Sequence, residues 1–362
     1  MKVCVYAIAR DEAKNVSGWM ESMGEADGVT VLDTGSGDGT PALLRSLGAV
    51  VREERIEPWR FDTARNRALE LVPEDADICV STDLDERFRP GWRAALERAW
   101  TEGAKQAECR YTWSFRPDGS EGVVFYRQQI HSRKGWRWKN AVHEVLSYEG
   151  SEPYRLVRAA GVQLDHHPDG AKSRAQYLPL LEQSVAEEPE NDRNVHYLGR
   201  EYMYYGRWSE AIAMLRRHLA MPSAAWREER SASYRYIARC EEKLGQGSAA
   251  FSDLLRAAAE APWLREPWVE TAQWYYRRED WRGVVWAAEN ALALTERGES
   301  YVCEAEAWGA LPWDLASIGY WKLGERERAL RCAEEALRLS PGEERIARNC
   351  ELMRRFLAAE GV

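Results

Sequence analysis

Apolar positions in the first part of the chain fall into short unbroken runs. Residues 3–8, 29–32, 49–51 and 78–80 are nearly continuous apolar stretches bounded by polar residues, the pattern of strands buried on both faces. Between the first three of them, residues 15–23 and 41–47 space their apolar side chains at helical intervals. Thr40 suits an N-cap, Pro41 the first helical position and Gly48 a left-handed close. Strand, helix, strand, helix, strand predicts an α/β layer structure with a mostly parallel sheet. From about residue 171 the strand signal fades and helical stripes take over, broken near Gly206, Gly245, Glu279 and Gly324. Five residues after each break stands a small or apolar residue: Ala211, Ala250, Val284 and Ala329. The breaks lie 39, 34 and 45 residues apart, the spacing of stacked helix-turn-helix units.

The Pro168-Asp169-Gly170 punctuation separates the two regimes, so domains are expected at 1–170 and 171–362. A length of 362 residues accommodates two cores. The formal charge of −9 argues against nucleic acid as a partner. Arg10-Asp11-Glu12 interrupts the first apolar stretch, and no later stretch approaches 20 apolar residues, so no membrane span and a cytoplasmic location are expected. Seven cysteines are widely spread and never spaced Cys-x-x-Cys, which points to reduced, packed thiols.

Candidate chemistry collects where the predicted strands end. Ala9-Arg10-Asp11-Glu12 follows the first strand, and Asp33 opens the glycine-rich stretch 33–40 after the second. In open α/β sheets these strand ends receive ligands, and Asp33 can accept hydrogen bonds from a nucleoside. Arg65 and Asn66 lie on a predicted helix ahead of the 78–80 strand, which releases Asp83-Leu84-Asp85-Glu86. Carboxylates two apart on an extended segment share a face and suit a hard divalent cation.

Taken in order, Leu32 to Thr40, Phe61 to Asn66 and Asp83 to Glu86 resemble the family 2 glycosyltransferases of the GT-A fold. The likeness is nearest to bacterial lipopolysaccharide-core glucosyltransferases and sublancin-type peptide glycosyltransferases, and it covers residues 1–170. The later units resemble degenerate tetratricopeptide repeats. The resemblance implies a Rossmann-like GT-A domain followed by an all-α repeat domain. It also implies an enzyme that moves a sugar, with inversion, from a UDP-sugar donor to a peptide, protein or glycan acceptor, with Mn2+ or Mg2+ as cofactor. By the same resemblance Ala9, Arg10, Glu12, Asp33, Arg65, Asp83 and Leu84 contact the nucleotide sugar. Asp85 and Asp83 hold the metal with His166 or His167, and Glu144 is the catalytic base with His143 beside it. The Glu-Asp base motif of many relatives has no clear copy here. The repeats are expected to bind the acceptor or to form a homodimer. Two alternatives accompany this reading: an inactive GT-A domain in a repeat-based protein-interaction scaffold, and a nucleotidyltransferase. The latter needs a basic loop after the first strand, where Arg10-Asp11-Glu12 is more acidic than that role favours.

Overall fold

The computed structural model describes residues 1–116, 118–168 and 176–360. The chain divides into two compact units, Met1–Glu187 and Glu188–Val362. The boundary expected at 170/171 lies outside the described residues.

The first unit carries β1 (Val3–Ala9), α1 (Ala13–Ser22), β2 (Gly28–Asp33), α2 (Thr40–Ser46), β3 (Val50–Glu53), α3 (Phe61–Glu70), β4 (Ile78–Ser81), β5 (Glu86–Phe88) and α4 (Trp92–Ala99). It continues with β6 (Ala104–Thr112), β7 (Val124–Ser132), β8 (Trp136–Lys139), β9 (Val145–Tyr148), β10 (Arg155–His166) and α5 (Tyr177–Glu187). Eight strands form one sheet in the order β3-β2-β1-β4-β7-β6-β10-β5, and β8 and β9 form a separate hairpin. The alternation of β1 explains its central place. Val3, Val5, Ala7 and Ala9 enter one core with Val16 and Trp19 of α1 and Leu96 of α4. Cys4 and Tyr6 enter the other with Ala64 and Ala68 of α3. A strand whose two faces both meet helices must be apolar at successive positions.

Six strands of the sheet run one way, and β7 and β5 run against them. The pairs β1–β2, β1–β4, β2–β3 and β6–β10 are parallel, whereas β4–β7, β6–β7 and β5–β10 are antiparallel. Strand β7 enters between β4 and β6 against the direction of both, so the sheet is mixed. Two successive reversals leave β6 and β10 running the same way as β4. The C-terminal ends of β1, β2, β4, β6 and β10 therefore share one edge.

The second unit is helical: α6 (Asp192–Tyr204), α7 (Trp208–Ala220), α8 (Arg227–Lys243), α9 (Gly247–Glu260), α10 (Glu266–Tyr276) and α11 (Trp281–Ala293). A short 3-10 helix (Ala305–Trp308), α12 (Leu311–Lys322), α13 (Arg326–Leu339) and α14 (Glu344–Glu360) complete it. Gly206, Gly245, Glu279 and Gly324 all take positive φ, at 72°, 75°, 56° and 84°, and turn the chain from the first to the second helix of four pairs. Glycine adopts this conformation without strain. At Glu279 the cost is borne by an L-residue, and the next residue, Asp280, caps α11 by accepting from the Gly283 amide at 3.0 Å. Ala211, Ala250, Val284 and Ala329 are fully buried where the paired helices meet. Gly199 of α6 shows how tight that contact is, since a Cβ there would stand 2.7 Å from Leu215 Cγ.

Candidate functional site

Polar constellations stand out in both units. In the first, the loops after β1 and β2 are sewn together by their own side chains. Asp33 is buried at 1% exposure and accepts from the Gly35 and Ser36 amides at 3.0 and 2.8 Å and from the Ser36 hydroxyl at 2.5 Å. The carboxylate expected to receive a nucleoside is thus engaged by its own loop, as Asx side chains do in turns. Asp11 Oδ1 accepts from the Gly37 amide at 2.7 Å, and the Asp11 amide donates to Ser36 Oγ at 2.8 Å. The Glu12 amide donates to Thr40 Oγ1 at 2.8 Å, and its carboxylate accepts from Asn15 at 2.8 Å. The Ala9 carbonyl receives Thr34, while Arg10 lies exposed at the same turn.

Beyond β4 the charges pair off. Arg65, on α3, has a side chain only 5% exposed. It donates to Asp83 Oδ1 at 2.8 Å and to Glu144 Oε1, with its guanidinium 5.2 Å from the centre of the Trp138 ring. Burial works against this charge, and the two carboxylates more than offset it, raising the affinity of Arg65 for its proton. Burial also opposes the charge on Asp83, yet Arg65 and then Arg127 hold its carboxyl below the usual range. Glu86 is buried at 1% exposure against Arg127 of β7, and burial pushes its carboxyl up despite that partner. Arg127 also lies 4.4 Å over the Tyr111 ring.

His166 ends β10, opposite Glu86 in the register. Its Nε2 is 3.4 Å from Asp85 Oδ2 and its Nδ1 2.9 Å from the Trp113 carbonyl oxygen. Burial lowers its pKa, but the Asp85 carboxylate and that carbonyl carry it above the ordinary value. His167 turns away: its amide donates to the Asp85 carbonyl at 2.7 Å, and its ring stacks near Phe115 at 6.1 Å. His143 takes a positive φ of 51° and packs its ring 5.8 Å from Tyr177. Leu84 points the other way, into the core beneath the sheet at 1% exposure.

The structure therefore brings Arg65, Asp83 and Glu144 into one cluster and Asp85 with His166 into a second. The His143 and His167 rings pack near Tyr177 and Phe115. Asp83, Asp85 and His166 do not converge as a metal cage. Among the described residues, one group of three His, Cys, Asp or Glu side chains brings its ligand atoms within 4.8 Å of one another, and it lies elsewhere, at His196, His218 and Glu229. Arg127 was not singled out in the sequence, because its partner Glu86 is 41 residues away and no local pattern links them.

In the second unit, residues 300–308 lie along the first helices of three successive pairs. Tyr301 stacks on Tyr197 of α6 at 5.9 Å and meets Trp226 edge-on at 5.4 Å. Its hydroxyl donates to Glu229 of α8. Arg235 and Arg239 of α8 grip Glu304, the latter at 2.9 and 3.0 Å, and both also pair with Glu270 of α10. Glu266 of α10 accepts from the Glu304 amide at 2.9 Å and from Trp308 Nε1 at 3.0 Å. The sequence carried a trace of this segment: the spacing of 45 residues between the third and fourth breaks exceeds the other two.

Comparison with known proteins favours the repeats. No family model matches the chain. TPR repeat-containing protein Synpcc7942_0270 of Synechococcus elongatus is 26% identical over 284 residues, covering 72% of this chain. The chain spans 66% of that relative, just under two thirds of its length. Among solved structures, the thermophilic TPR protein TTC0263 of Thermus thermophilus shares 18% identity with a TM-score of 0.34, over 49% of this chain and 88% of its own. MamA shares 15% with a TM-score of 0.36, over 46% and 83%. No helix among the described residues is long and apolar enough to cross a membrane. The curated relative, named for its repeats, overturns the glycosyltransferase resemblance. The family 2 assignment, the GT-A class, sugar transfer from a UDP-sugar and the designation as an enzyme are all withdrawn, and the tetratricopeptide-like repeats are what the comparison supports.

Proposed function

We propose that this chain is a protein-interaction scaffold whose helix pairs hold an extended acidic and aromatic peptide segment. One observation carries the reading: the helix pairs already hold such a segment, their own residues 300–308. The inserted stretch presents an aromatic side chain, a carboxylate and a backbone amide, and α6, α8 and α10 supply a stacking ring, two arginines and an acceptor carboxylate. Planar, bidentate recognition of carboxylate favours arginine. Glu270 of α10 pairs with Arg235 and Arg239 from outside the segment and helps to orient both guanidinium groups, which lowers the ordering cost of binding. The curated relative's name supports repeats as the working part. The reading places the chain in a reducing, cytoplasmic compartment, which seven unpaired and mostly buried thiols support.

The test uses a fluorescent peptide reproducing residues 298–306 and the full chain carrying Tyr301→Ser and Glu304→Gln, which loosens the intramolecular segment. The loosened chain is expected to bind the peptide, while wild type binds it poorly because its own segment competes at a high effective concentration. Adding Arg239→Glu to the loosened chain should weaken binding at least tenfold, about 1.4 kcal/mol. A loosened chain with native circular dichroism and no peptide binding would overturn the proposal.

A further inference from the structure

The helical unit contains a buried group that the packing of repeats does not require. His196 of α6 and His218 of α7 are both fully buried, and their rings lie 5.1 Å apart. Ser233 of α8 sits between them, its Oγ 2.8 Å from His196 Nδ1 and 2.9 Å from His218 Nδ1. Both Nε2 atoms are buried without a hydrogen-bond partner. They face Glu229 of α8, which is 5% exposed, and His218 Nε2 is 3.4 Å from Glu229 Oε1. The three ligand atoms all lie within 4.8 Å of one another.

We propose that His196, His218 and Glu229 form a binding site for a divalent transition-metal ion, with Zn2+ as the best match. Two imidazole nitrogens and one carboxylate oxygen are a donor set zinc accepts, with a fourth position left for water or a partner's group. At Zn–N and Zn–O distances of about 2.1 Å, tetrahedral ligands stand about 3.4 Å apart. His218 and Glu229 already have that separation, and His196 lies within 4.8 Å of both.

The Ser233 hydroxyl orients both rings. Its one hydrogen can serve only one imidazole, so without a metal one ring donates from Nδ1 and the other accepts there. If His196 is the accepting ring, its Nε2–H is buried without an acceptor; if His218 is, its Nε2–H faces Glu229 Oε1 at 3.4 Å. With a metal bound, both rings donate from Nδ1 to the two lone pairs of Ser233 Oγ, and both Nε2 lone pairs face the ion. This is the outer-sphere arrangement that fixes ligating histidines. Burial pushes His196 down to about 3, so the ring is neutral and its lone pair available at pH 7. Arg193 and Arg200, whose charges reach His196, disfavour a loosely held cation, so retention rests on direct coordination. The opposite carboxylate oxygen of Glu229 is held by the Tyr301 hydroxyl, which fixes the carboxylate in place.

The experiment equilibrates chelator-treated full-length chain with Zn2+ or Co2+ and measures bound metal by mass spectrometry and Co2+ by its visible absorption. One equivalent is expected, with the intense bands of a tetrahedral Co2+ centre. His196→Gln and Glu229→Gln should each lower affinity by at least 100-fold, and Ser233→Ala by about 10- to 100-fold. Circular dichroism of the metal-free variants establishes that they fold, and the metal-free wild type supplies a second measurement that no variant can compromise. Asp83→Asn with Asp85→Asn should leave binding unchanged. Folded wild type that takes up no stoichiometric metal would overturn the proposal. So would binding that survives His196→Gln and is lost in the Asp83 and Asp85 pair. Tyr301 joins Glu229 to the inserted segment, yet the two readings separate: the loosened chain with Arg239→Glu should lose peptide and keep metal, so either can fail alone.

Discussion

Replacing Arg65 with methionine tests how the first unit tolerates buried charge. The side chain of Arg65 is 5% exposed, Glu144 11% and Asp83 35%. Methionine keeps most of the volume, so the change removes the cation and leaves two carboxylates facing each other's former partner. Removing one member of a buried pair costs about 3–5 kcal/mol, because the remaining charge is desolvated and unpaired. Glu144 carries most of that cost. Asp83 is over a third exposed, so its share is discounted to the surface-pair range of about 0–1 kcal/mol. Losing the cation above Trp138 adds about 0.5–1 kcal/mol. The expected loss is about 3.5–6 kcal/mol, or roughly 7–24 °C in the melting of a unit this size. Urea unfolding followed by circular dichroism, fitted with separate transitions for the two units, measures it.

Two further arms make the reasoning refutable. The triple variant Arg65→Met, Asp83→Asn, Glu144→Gln removes the whole network, and most of the lost stability should return because no charge is left unpaired. The penalty of the single variant should also shrink in acid. Asp83 has a folded-state pKa below the ordinary carboxylate value, so its stabilisation is present above that value and is lost as the pH falls through the depressed one. In Arg65→Met the Asp83 carboxyl loses its cation while burial still pushes it up, so it takes up a proton at a higher pH than in wild type and sheds its desolvation cost. A single variant within about 1 kcal/mol of wild type, or a triple variant as unstable as the single, would refute the pairing argument.

Leu84 is 1% exposed within the core, so Leu84→Ala should cost about 2–5 kcal/mol in urea unfolding; a loss under about 1 kcal/mol would mean that its side chain faces a ligand surface instead. His131 is fully buried, accepts from Tyr6 at 2.8 Å and donates to the Ser132 carbonyl at 2.8 Å, and burial pushes its pKa down to about 4. The unfolded chain then binds the extra proton first, so stability should fall as the pH drops from about 6.5 toward 4, by up to about 1.4 kcal/mol per pH unit. His131→Gln should flatten that slope, measured by urea midpoints across the range; an unchanged slope would assign it to other groups.

The contrast between what was legible in the sequence and what was not follows from the range of the interactions. Strand β1 is written in its own residues, because both its faces are apolar and alternate between two cores. The repeat breaks are written locally too, since a positive φ at Gly206, Gly245 and Gly324 is a property of one residue. The insertion of β7 between β4 and β6 is not, because no residue of β7 names its neighbours. The same limit explains the motif-based family assignment. Asp33 with Ser36, and Asp83 with Glu86, do what short acidic and glycine-rich loops do in many folds: they satisfy their own backbone amides. A local motif specifies a loop geometry, and a ligand needs groups from several such loops to converge. At the sheet edge Arg65 intercepts Asp83, and His166 meets Asp85 alone. Convergence occurs instead at His196, His218 and Glu229, which lie on three helices and form no motif at all. Tyr301 ties Glu229 to the inserted segment that covers α6 and α8. Contacts assembled by helix stacking join residues that no window of sequence contains.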